Sequence, residues 1–238
     1  MILRLDNLTK SFGSLKAVDG IELEVAQDEA LGIIGPNGAG KTTLFHLITG
    51  LLKPDAGAIV FDGREITRAT PRARCIAGIG RSFQIPQPFE NLTVFENLLV
   101  AAIHGRRRRE AQVVDACGDI LERTGLIDLA NRRAGTLNLL GRKRLELARA
   151  LASAPRLLLL DEIAGGLTEA ECLELVQLVQ DIRKSGVTIV WIEHIVHALV
   201  AVVSRLVVLN FGRKIVEGEP RAVMASEEVR EIYLGIAA

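Results

Sequence analysis

The chain has 238 residues, and its 29 Lys and Arg balance 29 Asp and Glu, so the formal net charge is zero. This length fits one large α/β domain, or a core with a small subdomain. The charge balance argues against a general nucleic-acid binder, which usually carries a basic excess. Only 4% of the residues are aromatic. The apolar content is therefore mainly aliphatic, as in parallel strands buried on both faces.

Residues 1–6 carry charges where a signal peptide needs an apolar stretch. The most apolar region, residues 195–209, is interrupted by polar residues, whereas a membrane-spanning helix needs about 20 apolar residues. We therefore expect no transmembrane segment and a cytoplasmic location. The cysteines are scattered and odd in number, which predicts free thiols rather than a disulfide framework or a metal site: Cys75, Cys117 and Cys172.

The first 30 residues contain short alternating runs, such as Ile-Glu-Leu-Glu-Val at 21–25, which predict antiparallel strands with one wet face. A buried strand is predicted at 30–34, and then a helix that begins at Lys41 and is ended by Gly50. Residues 58–61 and the Asp-Gly that follows predict a strand and a turn.

Helical patterns dominate residues from about 86 to 153, and a buried strand follows at 156–161. Thr168 and Glu171 form a possible capping box for a helix whose apolar stripe includes Cys172 and Leu175. Further strands are predicted at 187–192, 205–210 and 214–216, with a last helix at about 226–233. We predict an α/β core at 1–85 and 154–238, with an N-terminal antiparallel β subdomain and an inserted helical subdomain at about 86–153.

A glycine-rich segment links the predicted strand at 30–34 to the predicted helix. It matches the P-loop pattern G-x-x-x-x-G-K-[ST] in the required strand–loop–helix context. Glycines let the backbone wrap around phosphates, and successive N–H groups face their negative charge. Lys41 is predicted to reach the β- and γ-phosphates, and the Thr42 hydroxyl to ligate Mg²⁺. The predicted nucleotide-binding residues here are Gly35, Pro36, Asn37, Gly38, Ala39, Gly40, Lys41, Thr42 and Thr43.

Four leucines at 157–160 lead into Asp161 and Glu162. A buried strand that ends in two carboxylates places them at the sheet edge where α/β proteins bind ligands. Asp161 is predicted to hold Mg²⁺, directly or through water. Glu162 is predicted to act as general base or to orient the attacking water. Surface acids after a core strand are the competing interpretation.

The order of these motifs resembles that of ABC ATPases over nearly the whole chain: P-loop, glutamine loop, signature helix, acidic pair and switch histidine. The resemblance implies that Gln84, in Arg-Ser-Phe-Gln at 81–84, lies near Mg²⁺ and couples to the membrane part of a transporter. It implies that His194 contacts the γ-phosphate, whereas His194 taken alone fits an ordinary surface or cap histidine better. It also implies that Phe12 stacks on adenine, with Val18 in the same site, whereas by position alone Phe12 could equally belong to the core. The implied catalytic residues are Glu162, His194 and Lys41. The implied fold is a P-loop NTPase core of the RecA type.

Within that family, the chain resembles the ATPases of branched-chain amino acid importers, on residues 81–84, 92–98, 144–151 and the ending at 233–235. Lipopolysaccharide-export ATPases share the ending, but usually lack the Ser-Phe-Gln and Ile-Glu-His segments. The resemblance implies a subunit that hydrolyses ATP with Mg²⁺ to power uptake of branched-chain or related amino acids. It would act with transmembrane permease subunits, as a peripheral protein on the inner face of the cell membrane.

The signature motif departs from this family, which reads Leu-Ser-Gly-Gly-Gln or Leu-Ser-Tyr-Gly-Gln. In this chain, Leu137 aligns with the leucine of that motif. The predicted signature residues, which would contact ATP bound to a partner subunit, follow it: Asn138, Leu139, Leu140 and Gly141. The side chain of Leu140 obstructs the close approach that glycine permits. We therefore expect this half of the dimer contact to be weak. Two further positions differ from the family. Ile163 replaces the proline that usually follows the catalytic glutamate, and Thr168 stands where many relatives have Asp or Asn.

Two functions remain open on these residues. Intact Lys41, Asp161, Glu162 and His194 favour an ATP-driven motor, whereas the altered signature favours a regulatory, hydrolysis-poor subunit. Because the signature acts on the partner's ATP, both observations fit a heterodimer with a second ABC ATPase better than a homodimer. The basic run Arg106–Arg109 is interpreted either as a solvated loop or as a contact with anionic lipid head groups.

Overall fold

The computed structural model describes residues 1–106 and 113–234. The strands, in chain order, are β1 (Leu3–Phe12), β2 (Leu15–Val25), β3 (Ala30–Ile34), β4 (Ala56–Phe61), β5 (Arg64–Glu65), β6 (Ile79–Arg81), β7 (Leu157–Asp161), β8 (Thr188–Ile192), β9 (Arg205–Asn210) and β10 (Arg213–Gly218). The helices are α1 (Lys41–Thr49), α2 (Pro71–Ala77), α3 (Val94–Arg106), α4 (Val114–Arg123), α5 (Leu139–Ala152), α6 (Glu169–Lys184), α7 (Val196–Val200), α8 (Pro220–Ala225) and α9 (Glu227–Leu234).

Contacts between residues divide the chain into two compact units. Unit 1 comprises Met1–Pro71 and Thr188–Ala238, and unit 2 comprises Arg72–Val187. The helical subdomain predicted at about 86–153 falls within unit 2, but unit 2 begins earlier and ends later than that subdomain. The subdomain boundaries therefore stay a prediction.

Unit 1 contains two sets of paired strands. One is an antiparallel sheet in the order β2-β1-β4-β5. In β2, Ile21, Leu23 and Val25 are buried while the glutamates between them are exposed, so the alternating pattern predicted one wet face correctly. In the other set, β3 pairs in parallel with both β8 and β9, and β10 pairs antiparallel with β9. Every residue of β3 and β8 is buried, as their mainly apolar sequences predict.

Unit 2 combines two parallel strands with helices. Strand β6 pairs with β7 in a register that places Arg81 opposite Leu159. Helices α3, α4 and α5 share an apolar cluster whose fully buried members include Leu98, Leu121 and Leu145. Helix α6 begins with the predicted capping box, in which the Thr168 hydroxyl accepts the Glu171 N–H and the Glu171 carboxylate accepts the Thr168 N–H.

Several short elements were not predicted. Strand β6 and helix α2 are too short to produce a clear period in the sequence. The single helix predicted at about 226–233 is preceded by α8, which starts because the Glu219 carboxylate accepts the Ala222 N–H and Pro220 occupies its first turn. Arg106 ends α3, and the rest of the basic run lies outside the described residues. Among the described residues, no helix is both long and apolar enough to span a membrane.

Candidate nucleotide site

The P-loop of unit 1 connects β3 to α1 and packs tightly against neighbouring backbone. A Cβ atom at Gly35 would lie 2.1 Å from the Leu209 carbonyl oxygen, and one at Gly40 would lie 2.1 Å from the Ala17 carbonyl oxygen. Gly40 also has φ +100°, which side chains rarely adopt. Both glycines are therefore required by close approach. The Gly212 N–H donates to the Ala39 carbonyl oxygen at 3.1 Å and fixes the loop further.

The N-terminus of α1 is suited to an anion. Gly40 occupies its N-cap position, no side chain caps the helix, and its first turn has no acidic residue. The first N–H groups of a helix carry partial positive charge and readily bind phosphate. The glycine cradle and this helix end therefore fit the phosphates of a nucleotide. Thr42 is exposed and Thr43 is half-buried.

Lys41 is 5% exposed although it carries a charge. Its Nζ donates to the Gly35 carbonyl oxygen at 2.7 Å and to the Pro36 carbonyl oxygen at 3.0 Å. These bonds fold the ammonium group back over the P-loop. A nucleotide that binds at the loop therefore meets a cation that is already in place. Charge-assisted contacts with a phosphate are among the stronger polar interactions.

The two residues predicted to contact adenine have different environments. Phe12 ends β1 with 49% of its surface exposed, and the Lys10 Nζ lies 5.8 Å from its ring centroid. Its ring is therefore accessible for stacking. Val18 is only 1% exposed, so its side chain belongs to the core and offers almost no surface to a ligand. The adenine role of both residues stays a prediction.

The switch segment follows β8. His194 is exposed, while the preceding Glu193 is 2% exposed. The Glu193 carboxylate accepts the N–H groups of His194, at 2.9 Å, and Ile195, at 3.4 Å. Glu193 thus shapes the turn that presents His194, a role that was not predicted from the sequence.

In unit 2, Asp161 ends β7 and is held by a buried ion pair that was also not predicted. The Arg81 Nη2 lies 2.6 Å from the Asp161 Oδ2, and the two side chains are 6% and 5% exposed. The parallel pairing of β6 with β7 brings Arg81 to this strand end. The guanidinium also stacks over the Phe83 ring, 4.9 Å from its centroid. The carboxylate predicted to hold Mg²⁺ therefore has a fixed orientation and a cationic neighbour.

Glu162 and Gln84, which were predicted separately, lie in direct contact. The Gln84 Nε2 donates to the Glu162 Oε2 at 2.5 Å. Glu162 has φ +46°, in the left-handed region that residues with a Cβ rarely adopt. Such conformations persist where the surroundings hold them, and they cluster at functional sites.

The altered signature residues begin α5. Asn138 is the N-cap, and its Oδ1 accepts the Gly141 N–H at 2.8 Å. This is the capping bond that a serine at this position can also form. Leu139 is 42% exposed and Leu140 is half-buried in the first turn. Asn138 therefore preserves the helix start, and whether Leu140 blocks a partner's nucleotide stays a prediction.

The site residues thus form two groups, one in each unit. Unit 1 supplies a phosphate cradle with a lysine and a helix N-terminus, together with an exposed aromatic ring and a histidine. Unit 2 supplies two carboxylates at a strand end, with an amide in contact with one of them. The cradle, the lysine and the helix N-terminus of unit 1, placed directly after the parallel strand β3, define a P-loop nucleotide-binding protein.

Comparisons with known proteins identify the family. The model of the ABC transporter family matches residues 18–165. The high-affinity branched-chain amino acid transport ATP-binding protein BraF of Pseudomonas aeruginosa is 36% identical, over 99% of this chain and 98% of the relative. The lipopolysaccharide export system ATP-binding protein LptB of Haemophilus influenzae is 34% identical, over 98% of this chain and 97% of the relative. The chain therefore belongs to the ABC transporter family and is one of its ATP-binding subunits.

A solved structure supports the same assignment. The ADP conformation of MJ1267, an ATP-binding cassette of an ABC transporter, superposes with a TM-score of 0.90 at 35% identity, covering 99% of both chains. The α/β P-loop fold predicted from the sequence, with its antiparallel β sheet, is thereby confirmed.

Proposed function

We propose that this subunit binds and hydrolyses Mg²⁺–ATP to power the uptake of branched-chain or related amino acids through transmembrane permease subunits. The observation that carries the ATPase part is the P-loop, where Gly35 and Gly40 approach neighbouring carbonyl oxygens too closely for any side chain. The cargo rests on the likeness to BraF. With permeases as partners, the chain would act at the inner face of the membrane.

In this proposal the phosphates lie against the P-loop and the N-terminus of α1, with Lys41 at the β- and γ-phosphates. Oxygen ligands suit Mg²⁺, and Thr42, Gln84 and Asp161 would hold it together with the phosphates, where it neutralises developing charge. The Glu162 carboxylate accepts the proton of the attacking water or orients it. His194 contacts the γ-phosphate.

A membrane partner is supported by an exposed apolar segment after β6. Phe83, Ile85 and Phe89 are 43%, 70% and 47% exposed. A contiguous exposed apolar patch marks a surface that another protein covers, and these three side chains lie within seven residues of the sequence. The segment begins beside Gln84, so a permease bound there would lie next to a residue that contacts Glu162.

The altered signature supports a heterodimer with a second ABC ATPase. Asn138 and Leu140 would weaken the contact with the nucleotide bound to the partner, whereas the P-loop of this chain would receive an ordinary signature from that partner. A hydrolysis-poor regulatory subunit is the alternative. ATPase activity of the chain alone, compared with its mixtures with candidate second ATPases, distinguishes the two.

The ATPase test uses two variants. Lys41→Ala should weaken ATP binding in calorimetry, because it removes a charge-assisted bond to phosphate. Glu162→Gln should keep ATP binding and lower turnover by about 10²–10⁴-fold, since the amide cannot accept a proton. Tight ATP binding by Lys41→Ala would contradict the P-loop assignment, and normal turnover by Glu162→Gln would require another base.

The likeness to LptB leaves lipopolysaccharide export as a second candidate for the cargo. Uptake of labelled leucine by cells that carry the wild-type chain or Glu162→Gln separates the two. Loss of uptake in the variant supports amino acid import. Unchanged uptake, with altered export of lipopolysaccharide, would favour the second candidate.

A further inference from the structure

Helix α5, which begins at the signature residues, contacts the residues that carry the predicted hydrolytic chemistry through Lys143. The Lys143 Nζ donates to the Gln84 carbonyl oxygen at 2.7 Å and lies 3.4 Å from the Glu162 carbonyl oxygen. Lys143 is 4% exposed, so its ammonium group lies away from water. All three residues belong to unit 2.

Two further residues of α5 contact the same segment. Arg149 Nη1 donates to the Gln87 carbonyl oxygen at 2.8 Å, and its guanidinium lies 5.1 Å from the Phe89 ring centroid. The Gln87 N–H bonds to the Glu146 carboxylate. Lys143, Glu146 and Arg149 are spaced three residues apart, which places neighbouring members of the series close together on the helix surface. Contacts with these three side chains of α5 therefore hold residues 84–89 along the helix.

The contact with Glu162 has a particular consequence. Glu162 has φ +46°, and both ends of the residue are held: its carboxylate by Gln84 and its carbonyl group by Lys143. An uncommon backbone conformation persists only when its surroundings determine it strongly. A displacement of about 1 Å at a reacting group costs about 10²-fold in rate, so these contacts bear directly on hydrolysis.

We propose that Lys143 is a positioning residue that fastens the signature helix α5 to Gln84 and Glu162 and so fixes the amide and the carboxylate used in hydrolysis. This inference rests on the proposed ATPase function. The competing role for Lys143 is general support of the fold. Support of the fold alone predicts a loss of global stability without a selective change at the two segments that Lys143 contacts.

The test uses the full-length chain with Lys143→Met and, as the matched control, Lys184→Met on α6. Lys184 is a lysine of the same unit whose side chain is 70% exposed. Three quantities are measured: the dissociation constant for ATP by calorimetry, the turnover number at saturating Mg²⁺–ATP, and backbone hydrogen exchange at residues 83–89 and 162–166 in nucleotide-free protein. The exchange measurement requires no ATP hydrolysis, so it tests the positioning role even if the ATPase proposal fails.

For Lys143→Met we expect about a 10²-fold fall in turnover, ATP affinity within about threefold of wild type because the P-loop is untouched, and faster exchange in both segments. Lys184→Met should match wild type in all three. Unchanged exchange in both segments would overturn the proposal, whether or not the chain hydrolyses ATP by itself. Wild-type turnover despite faster exchange would also overturn it, provided that the wild-type chain has measurable ATPase activity.

A second variant covers the case in which Lys143→Met fails to fold. Lys143→Arg keeps the positive charge and several N–H donors, and it should protect both segments against exchange as wild type does. Its turnover should lie at least tenfold above the value expected for the methionine variant. If Lys143→Arg melts at the wild-type temperature and yet both segments exchange faster than in wild type, Lys143 does not act by fastening them.

Discussion

The buried pair between Arg81 and Asp161 makes a strong prediction about stability. Arg81→Met removes a guanidinium that lies 2.6 Å from Asp161 and leaves a carboxylate that is 5% exposed without this cation. Removal of one partner of a buried ion pair typically costs about 3–5 kcal/mol. The stacking of Arg81 over the Phe83 ring adds about 0.5–1 kcal/mol. The two contributions together predict a loss of about 3.5–6 kcal/mol, a large part of the 5–15 kcal/mol typical of a folded protein.

The assay is urea unfolding of the nucleotide-free chain, with Arg144→Met as the matched control. Arg144 pairs with Glu174 in the same unit at 2.5 Å, but the two side chains are 23% and 55% exposed. An exposed pair contributes about 0–1 kcal/mol, so the control should lose far less than Arg81→Met. The double variant Arg81→Met, Asp161→Asn should recover part of the loss, because it no longer buries a lone carboxylate.

The outcome that refutes this reasoning is specific. If Arg81→Met and Arg144→Met lose equal stability, burial does not govern the strength of the Arg81–Asp161 pair. If the double variant is as unstable as the sum of the two single variants, Arg81 stabilises the chain through contacts other than Asp161.

The remaining predictions concern the signature, the P-loop and acid stability. In the Glu162→Gln background, Asn138→Ser with Leu140→Gly should strengthen ATP-dependent self-association, because each restored hydrogen bond to phosphate adds about 1.5–3 kcal/mol. Analytical ultracentrifugation measures this, and a tight homodimer of the chain with its own signature would contradict it. Gly40→Ala should abolish ATP binding in calorimetry, because its Cβ would meet a carbonyl oxygen at 2.1 Å. Hydrogen bonds donated by Arg213, the larger cause, and by Lys16 lower the pKa of Asp19. The stability that Asp19 contributes is therefore present above its unfolded pKa and is lost as pH falls through its folded pKa. Asp19→Asn should flatten the acid side of the profile of unfolding free energy against pH.

The sequence predicted well wherever one local pattern determines the structure. The apolar stripe of α6 and the alternation in β2 follow from side-chain periods of 3.6 and 2 residues. The cap of α6 follows from the Thr168–Glu171 spacing, and the buried strands β3 and β8 follow from short apolar runs. The P-loop is contiguous, so its glycines and Lys41 could be predicted as phosphate-binding residues without knowledge of the fold.

The contacts that were missed join residues far apart in the chain. Arg81 and Asp161 are separated by 80 positions, and Lys143 and Gln84 by 59. In the sequence, Lys143 lies in a charged stretch that is typical of a solvated helix face, and only the packing of α5 shows that it is buried. In the sequence, Glu193 stands out only as part of the Ile-Glu-His segment, whereas in the structure its carboxylate accepts backbone N–H groups and so shapes the turn.

The backbone segments that pack behind the P-loop affect the thermodynamics of nucleotide binding. Gly40 lies against Ala17, and the Gly212 N–H bonds to the Ala39 carbonyl oxygen while the Gly212 carbonyl oxygen accepts the Asp19 N–H. The loop is therefore ordered when unit 1 folds rather than when the nucleotide arrives. Ordering a mobile segment reduces affinity, so the free energy of phosphate contacts should appear almost fully as affinity. Nucleotide binding should therefore show a favourable enthalpy with little opposing conformational entropy from this loop.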